Sequence, residues 1–236
     1  MTHLKLRYPF RIARHLVHVC LLISCLLYVD FSLANPKSDI LLEIVQNCLN
    51  TKAENYCQQC RSPQLSANCS SQPTCTASID VWSETSDFVA MRDIKMCGCP
   101  ADFVHGLVLP KSVVTGVEDD RRPDGIWQFA WDVALQRIPV QEIALAVNPK
   151  FKRSQNQLHI HLVRLQPGVN SRLETSWIGR VDNLSQVWRF ASDVAQSRHI
   201  SDYGVLVAQS AEGGFRVALS TDSPEWQFTK ARCTPQ

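Results

Sequence analysis

Asn148-Pro-Lys-Phe-Lys-Arg-Ser-Gln-Asn-Gln-Leu-His-Ile-His-Leu-Val163 is the stretch on which the fold turns. From Gln157 onward, Gln157, His159 and His161 alternate with Leu158, Ile160 and Leu162. Successive side chains of a β-strand point to opposite faces, so this period sends the apolar set into a core and both histidines to the other face. Residues two apart on a strand have Cα atoms about 6.6 Å apart, and two imidazoles so placed can share one phosphate or one metal ion. The loop before the strand supplies Asn148, Lys150, Lys152, Arg153 and Ser154, all suited to holding phosphate oxygens. A basic loop followed by paired histidines points to phosphate-ester or phosphoanhydride chemistry.

Working outward, strand-like patterns cover 87–94, 103–109, 142–147, 157–165, 203–209 and 215–220. Helical spacing covers 40–49, 126–138 and 183–197, with Ile126, Ala130, Val133 and Ala134 on one buried face. Trp127 and Trp131 lie four apart and read as core packing. Glu212-Gly213-Gly214 is a hairpin signal between the last two strands. His105 reads as a polar side chain in a strand. The sum is an α+β domain on an antiparallel sheet.

The N-terminus has a different character. Lys5, Arg7, Arg11 and Arg14 precede the apolar run Leu16–Val29, and Ser32-Leu33-Ala34 puts small residues where a signal peptidase needs them. A cleaved signal, an uncleaved signal-anchor and a lipobox at Leu22-Ile23-Ser24-Cys25 all predict export of the domain beyond it. The expected organisation is a leader at 1–34 and a catalytic domain at 35–236. Without those 34 residues the net charge falls from +2 to −1, too little basicity for a dedicated nucleic-acid binder. The exported part keeps eight cysteines, seven of them between residues 48 and 99. In an oxidising compartment an even count reads as disulfides, with the pairing open. Zinc is the rival, given the ligand-like spacing of Cys57 with Cys60 and of Cys97 with Cys99.

Asn148 followed by Ser154-Gln155-Asn156-Gln157-Leu158-His159-Ile160-His161-Leu162 resembles the histidine-triad (HIT) signature, three histidines alternating with apolar residues. More closely, the chain resembles the bacterial CDP-diacylglycerol pyrophosphatases. The likeness includes the Leu42-Glu43-Ile44-Val45 helix with Cys48, the aromatic helix Ile126-Trp127-Gln128-Phe129-Ala130-Trp131, the Tyr203-Gly204 strand and the late Cys233. It implies a HIT-like fold with a cysteine-rich extension, and hydrolysis of CDP-diacylglycerol to CMP and phosphatidate. It makes His159 the nucleophile and His161 the residue that binds and orients the phosphate, with Asn148 and Ser154 hydrogen-bonding the α-phosphate. Gln157 stands where the first histidine of the triad belongs; glutamine keeps a hydrogen bond but cannot exchange a proton.

Lys150, Lys152 and Arg153 are candidates for neutralising phosphate charge. No carboxylate cluster for Mg²⁺ is evident in the sequence, so neither cofactor nor metal is expected. The expected partner is a membrane lipid substrate, with no nucleic acid, and the resemblance leaves room for a homodimer. Two alternatives stand beside this reading. One is a HIT-type hydrolase or nucleotidyltransferase acting on another nucleotide diphosphate. The other is a periplasmic metal-binding module with His159 and His161 as ligands.

Overall fold

The computed structural model describes residues 38–70, 74–169 and 177–233, so the leader lies outside the described residues. Among those described, no helix is long and apolar enough to cross a membrane. The frame is an eight-stranded antiparallel sheet. Its strands are β1 (Val81–Glu84), β2 (Phe88–Arg92), β3 (His105–Pro110), β4 (Ile143–Val147), β5 (Ile160–Arg164), β6 (Trp177–Val181), β7 (Gly204–Gln209) and β8 (Phe215–Ser220). They lie in the order β1-β2-β3-β5-β4-β7-β8-β6. The β7–β8 hairpin turns at Gly213 and Gly214, whose φ values of 88° and 67° suit glycine.

The alternation read in the sequence sorts the two faces. Ala90, Val108, Leu145, Val147, Ile160, Leu162, Val205, Val207, Val217 and Leu219 form one face, under a pair of helices. α3 (Gly125–Leu135) contributes Ile126, Trp127, Ala130, Val133 and Ala134; α4 (Val187–Ser197) contributes Val187, Trp188 and Ala191. The Trp127 and Trp188 rings meet at 4.7 Å, so the tryptophans of α3 are core residues as expected. Burying each Leu, Ile or Phe here stabilises by about 1.5–3 kcal/mol, which makes this layer the rigid platform of the molecule.

The opposite face is covered in two pieces. Over β2 and β3, the cysteine-rich segment packs Leu41, Ile44, Val45 and Tyr56 on Val89, Met91, Leu107 and Leu109. Its helices are α1 (Ile40–Glu43), which continues through a π turn at Ile44–Cys48, and α2 (Tyr56–Gln59). Four disulfides hold it: Cys48–Cys60, Cys57–Cys69, Cys75–Cys97 and Cys99–Cys233. All eight cysteines of the domain are thereby paired, and zinc ligation by them falls away. Tyr56 Oη donates to Cys48 O at 3.0 Å and accepts from Gln64 N at 2.8 Å, which orders a stretch with little core of its own.

The second piece is α5 (Pro224–Phe228), whose Phe228 packs with Ala144, Ala146, Val163, Leu206 and Ala218. The space between the two pieces holds the histidines.

β1, β6, α2 and α5 go beyond the sequence reading. β1 and β6 are edge strands, and edges need no continuous apolar run. α5 is a single turn or so, announced only by Ser223, whose Oγ caps Trp226 N, and by Pro224 at the first helical position.

Candidate active site

β5 and β3 bring three imidazoles together. With Ile160 and Leu162 fixed in the core, His159 and His161 emerge on the other face, their ring centroids 4.8 Å apart. β3 runs antiparallel alongside, pairing Leu107 with His161 and His105 with Val163. His105 therefore stands diagonally across from His161, with ring centroids 5.3 Å apart. It is completely buried, not the plain polar strand residue of the sequence reading. The third histidine of the cluster comes from the neighbouring strand, while position 157 on β5's own run is glutamine.

Hydrogen bonds assign the ring tautomers. His159 Nδ1 lies 2.8 Å from Gln157 O, a carbonyl that can only accept, so Nδ1 carries the hydrogen and Nε2 keeps the lone pair. Likewise His105 Nδ1 donates to Ala231 O at 3.2 Å, which leaves His105 Nε2 to accept from His161 Nδ1 at 3.1 Å. His161 Nε2 then accepts from Asn148 Nδ2 at 3.3 Å. Asn148 gives its other amide hydrogen to Glu225 Oε2 at 2.7 Å, and its Oδ1 accepts from Ser223 Oγ at 2.7 Å.

Glu225 and Lys95 complete the surroundings. The first turn of α5 points Glu225 inward, where Oε2 lies 3.1 Å from His161 Nε2 and Oε1 lies 2.5 Å from Lys95 Nζ. Asp93 Oδ2 sits 3.4 Å from His105 Nε2 and 3.8 Å from Lys95 Nζ. Burial pushes all three imidazoles below the usual histidine range, which keeps them neutral near pH 7. His105 falls to about 4, with the Lys95 charge adding to the effect of burial. For His161, the neighbouring His159 and His105 reinforce burial; for His159, the Gln157 carbonyl opposes it.

Among the described residues, Asp93, His105 and His161 are the grouping close enough to hold a metal ion, their ligand atoms lying within 4.8 Å of one another. The Lys95 ammonium already places a positive charge against this cluster, and each facing nitrogen is engaged in the hydrogen bonds above.

A cavity of about 310 Å³ opens beside the histidines. His159, His161, Asp93, Lys95 and Ser154 all line it. α1 forms its roof. Ser38 N donates to Ser154 O at 2.9 Å, Asn156 N donates to Ser38 O at 3.0 Å, and Asn156 Nδ2 donates to Asp39 Oδ1 at 2.7 Å, clipping the start of α1 over the loop before β5.

Other candidates from the sequence stand elsewhere. Gln157 does not face the cavity: its Nε2 donates to Pro110 O and Ser112 O, and its Oε1 accepts from Val114 N, so it ties β5 to the loop after β3. Asn148 is buried behind His161 with both amide hydrogens engaged, and it acts on the imidazole directly. Arg153 turns inward to Glu118, with Nη1 to Oε2 at 2.7 Å, and Lys152 pairs with Asp222 at 3.1 Å. The Lys150 backbone amide donates to Asp202 at 2.6 Å. None of these three basic side chains lines the cavity; Lys95 and Arg92 do.

Sequence reasoning missed His105, Asp93, Lys95 and Glu225. For His105 a signal existed: it shares a strand face with Leu107 and Leu109, and a histidine among buried leucines is buried too.

Residues 36–193 match the family described as CDP-diacylglycerol pyrophosphatase, and the chain belongs to that family. The match covers both histidines, Asn148 and Ser154; Glu225 and Cys233 lie beyond it.

Proposed function

We propose that this member of the CDP-diacylglycerol pyrophosphatase family, which hydrolyses CDP-diacylglycerol to CMP and phosphatidate, does so through a covalent intermediate on His159. The observation that carries the reading is the tautomer of His159. Its Nδ1 hydrogen is spent on Gln157 O, its ring is held neutral by burial, and it lines the cavity with Nε2 carrying a lone pair. A neutral, oriented imidazole is a competent nucleophile.

In the first step the Nε2 lone pair of His159 bonds to the cytidylyl phosphorus, and the phosphoanhydride P–O bond breaks toward phosphatidate. That leaving group is a phosphate monoester and needs little proton donation. In the second step water attacks the same phosphorus, the P–N bond breaks, and CMP leaves with the water oxygen. The proton released by water is taken at His161 Nε2, where Glu225 Oε2 lies 3.1 Å away and converts the contact into a charge-assisted hydrogen bond. Lys95 supplies positive charge beside the phosphates. Asn148, Ser223 and His105 hold His161 in place.

We also propose export, with the apolar Leu16–Val29 run serving as signal or anchor. The four disulfides support an oxidising compartment.

The direct check is CMP release from CDP-diacylglycerol by the wild type and by His159→Ala. A loss of at least about 10³-fold is expected for removal of a covalent nucleophile. Wild-type turnover by His159→Ala would overturn the assignment.

A further inference from the structure

The cavity beside His159 has a wall that the phosphate chemistry does not use. Ile40, Leu41 and Ile44 of α1 and its π turn face Ile79, Met91 and Ile94 across it. Among the described residues, no aromatic ring other than the two imidazoles lines it, so they offer a pyrimidine no stacking platform. Ile40 and Ile94 are 41% and 59% exposed, large aliphatic side chains left facing solvent next to the reactive histidine.

We infer that this wall is the binding site for the acylglycerol end of the substrate, and that the disulfide-held cap makes the enzyme selective for lipid phosphoanhydrides over water-soluble ones. The inference rests on the reading of His159 as the attacking group, because it orients the substrate from that residue. Aliphatic side chains flanking a phosphate site match the ester-linked methylenes of a diacylglycerol, which gain free energy on leaving water. At about 310 Å³ the cavity takes roughly ten groups of water size, at about 30 Å³ each. That accommodates the glycerol and the first carbons of the acyl chains, with the remainder left in the bilayer or micelle that Ile40 and Ile94 would touch. The cap's three internal disulfides hold its side chains in a fixed surface rather than a loose loop.

The experiment compares kcat/KM for CDP-glycerol with that for CDP-dibutyrylglycerol and CDP-dihexanoylglycerol, all used as monomers in solution. In the wild type the lipid-to-glycerol ratio rises with chain length, by about fourfold for each methylene the wall covers. Ile44→Trp, which fills the cavity, and Ile94→Ser, which changes only an exposed rim side chain, each lower that ratio at least about tenfold. Because the readout is a ratio within one protein sample, loss of folded enzyme does not imitate the effect. A wild-type ratio near unity overturns the inference, and so does a high ratio that neither variant lowers; CMP release through His159 then still stands. Failure of the wild type to release CMP from any of the three substrates, or full activity of His159→Ala, removes the underlying reading and the inference with it.

Discussion

His105 Nε2 lies 3.1 Å from His161 Nδ1, two buried imidazoles on adjacent strands joined edge to edge. His105 is fixed in turn by Ala231 O, beside the tail that the Cys99–Cys233 disulfide ties down. The last residues of the chain thereby set the tautomer of a histidine in the middle of the sheet. His105→Ala leaves the His161 Nδ1 hydrogen buried without an acceptor, and is expected to cost about 1–3 kcal/mol in urea unfolding. His105→Gln keeps an acceptor at that position and is expected to recover most of the loss.

Stability should depend on pH through the same imidazoles. Their folded pKa values are lowered, so below about pH 6.5 the unfolded chain binds protons that the native chain refuses. Stability is therefore full above about pH 6.5 and falls as the pH drops toward about 4, where His105 titrates in the fold. Each histidine contributes a slope of at most about 1.4 kcal/mol per pH unit. Urea midpoints measured across that window test it, and His105→Gln should flatten the curve. An unchanged slope would show that His105 is not held neutral.

Glu225 separates the two chemical steps. Its carboxylate is placed to stabilise the imidazolium formed when His161 takes the proton that water loses, a step that comes after phosphatidate release. Glu225→Gln preserves shape and is expected to slow hydrolysis of the cytidylyl-histidine by about 10²-fold or more while sparing its formation. Rapid-quench traces should then show a burst of phosphatidate followed by slow CMP release. Glu225→Ala is a harsher change, leaving the Lys95 ammonium and the Asn148 amide without their partner at a cost of about 3–5 kcal/mol.

Much of this was legible in sequence, and the part that was not has a common cause. The period-two alternation of Leu158 to Leu162 correctly assigned both faces of β5, and the spacing of Ile126, Ala130, Val133 and Ala134 assigned the buried side of α3. Those are local signals, enforced by one core. The basic loop misled because charge says nothing about partner: Arg153 and Lys152 resemble phosphate ligands in sequence, yet they bind Glu118 and Asp222. Lys95 and Glu225, which do reach the site, are 130 residues apart, and no periodicity connects them. Gln157 kept its place in the triad pattern but turned its amide to the backbone of the loop after β3.

The Cys99–Cys233 disulfide closes a loop of 134 residues, for which chain entropy gives about 4–5 kcal/mol of stabilisation. Cys233→Ser should lower the unfolding free energy by that order. It should also loosen the Ala231 carbonyl from His105; that hydrogen bond holds the folded His105 pKa up, so its loss should carry the acid fall in stability to lower pH in this variant. Unfolding curves at two pH values measure both effects in one experiment.

The most direct test is acid-quenched mass spectrometry of the enzyme mixed with CDP-diacylglycerol, using Glu225→Gln to slow the second step. The expected result is one added cytidylyl group, mapped to the peptide containing His159 and absent from His159→Ala. An adduct on another residue, or sustained CMP production by His159→Ala, would contradict the mechanism.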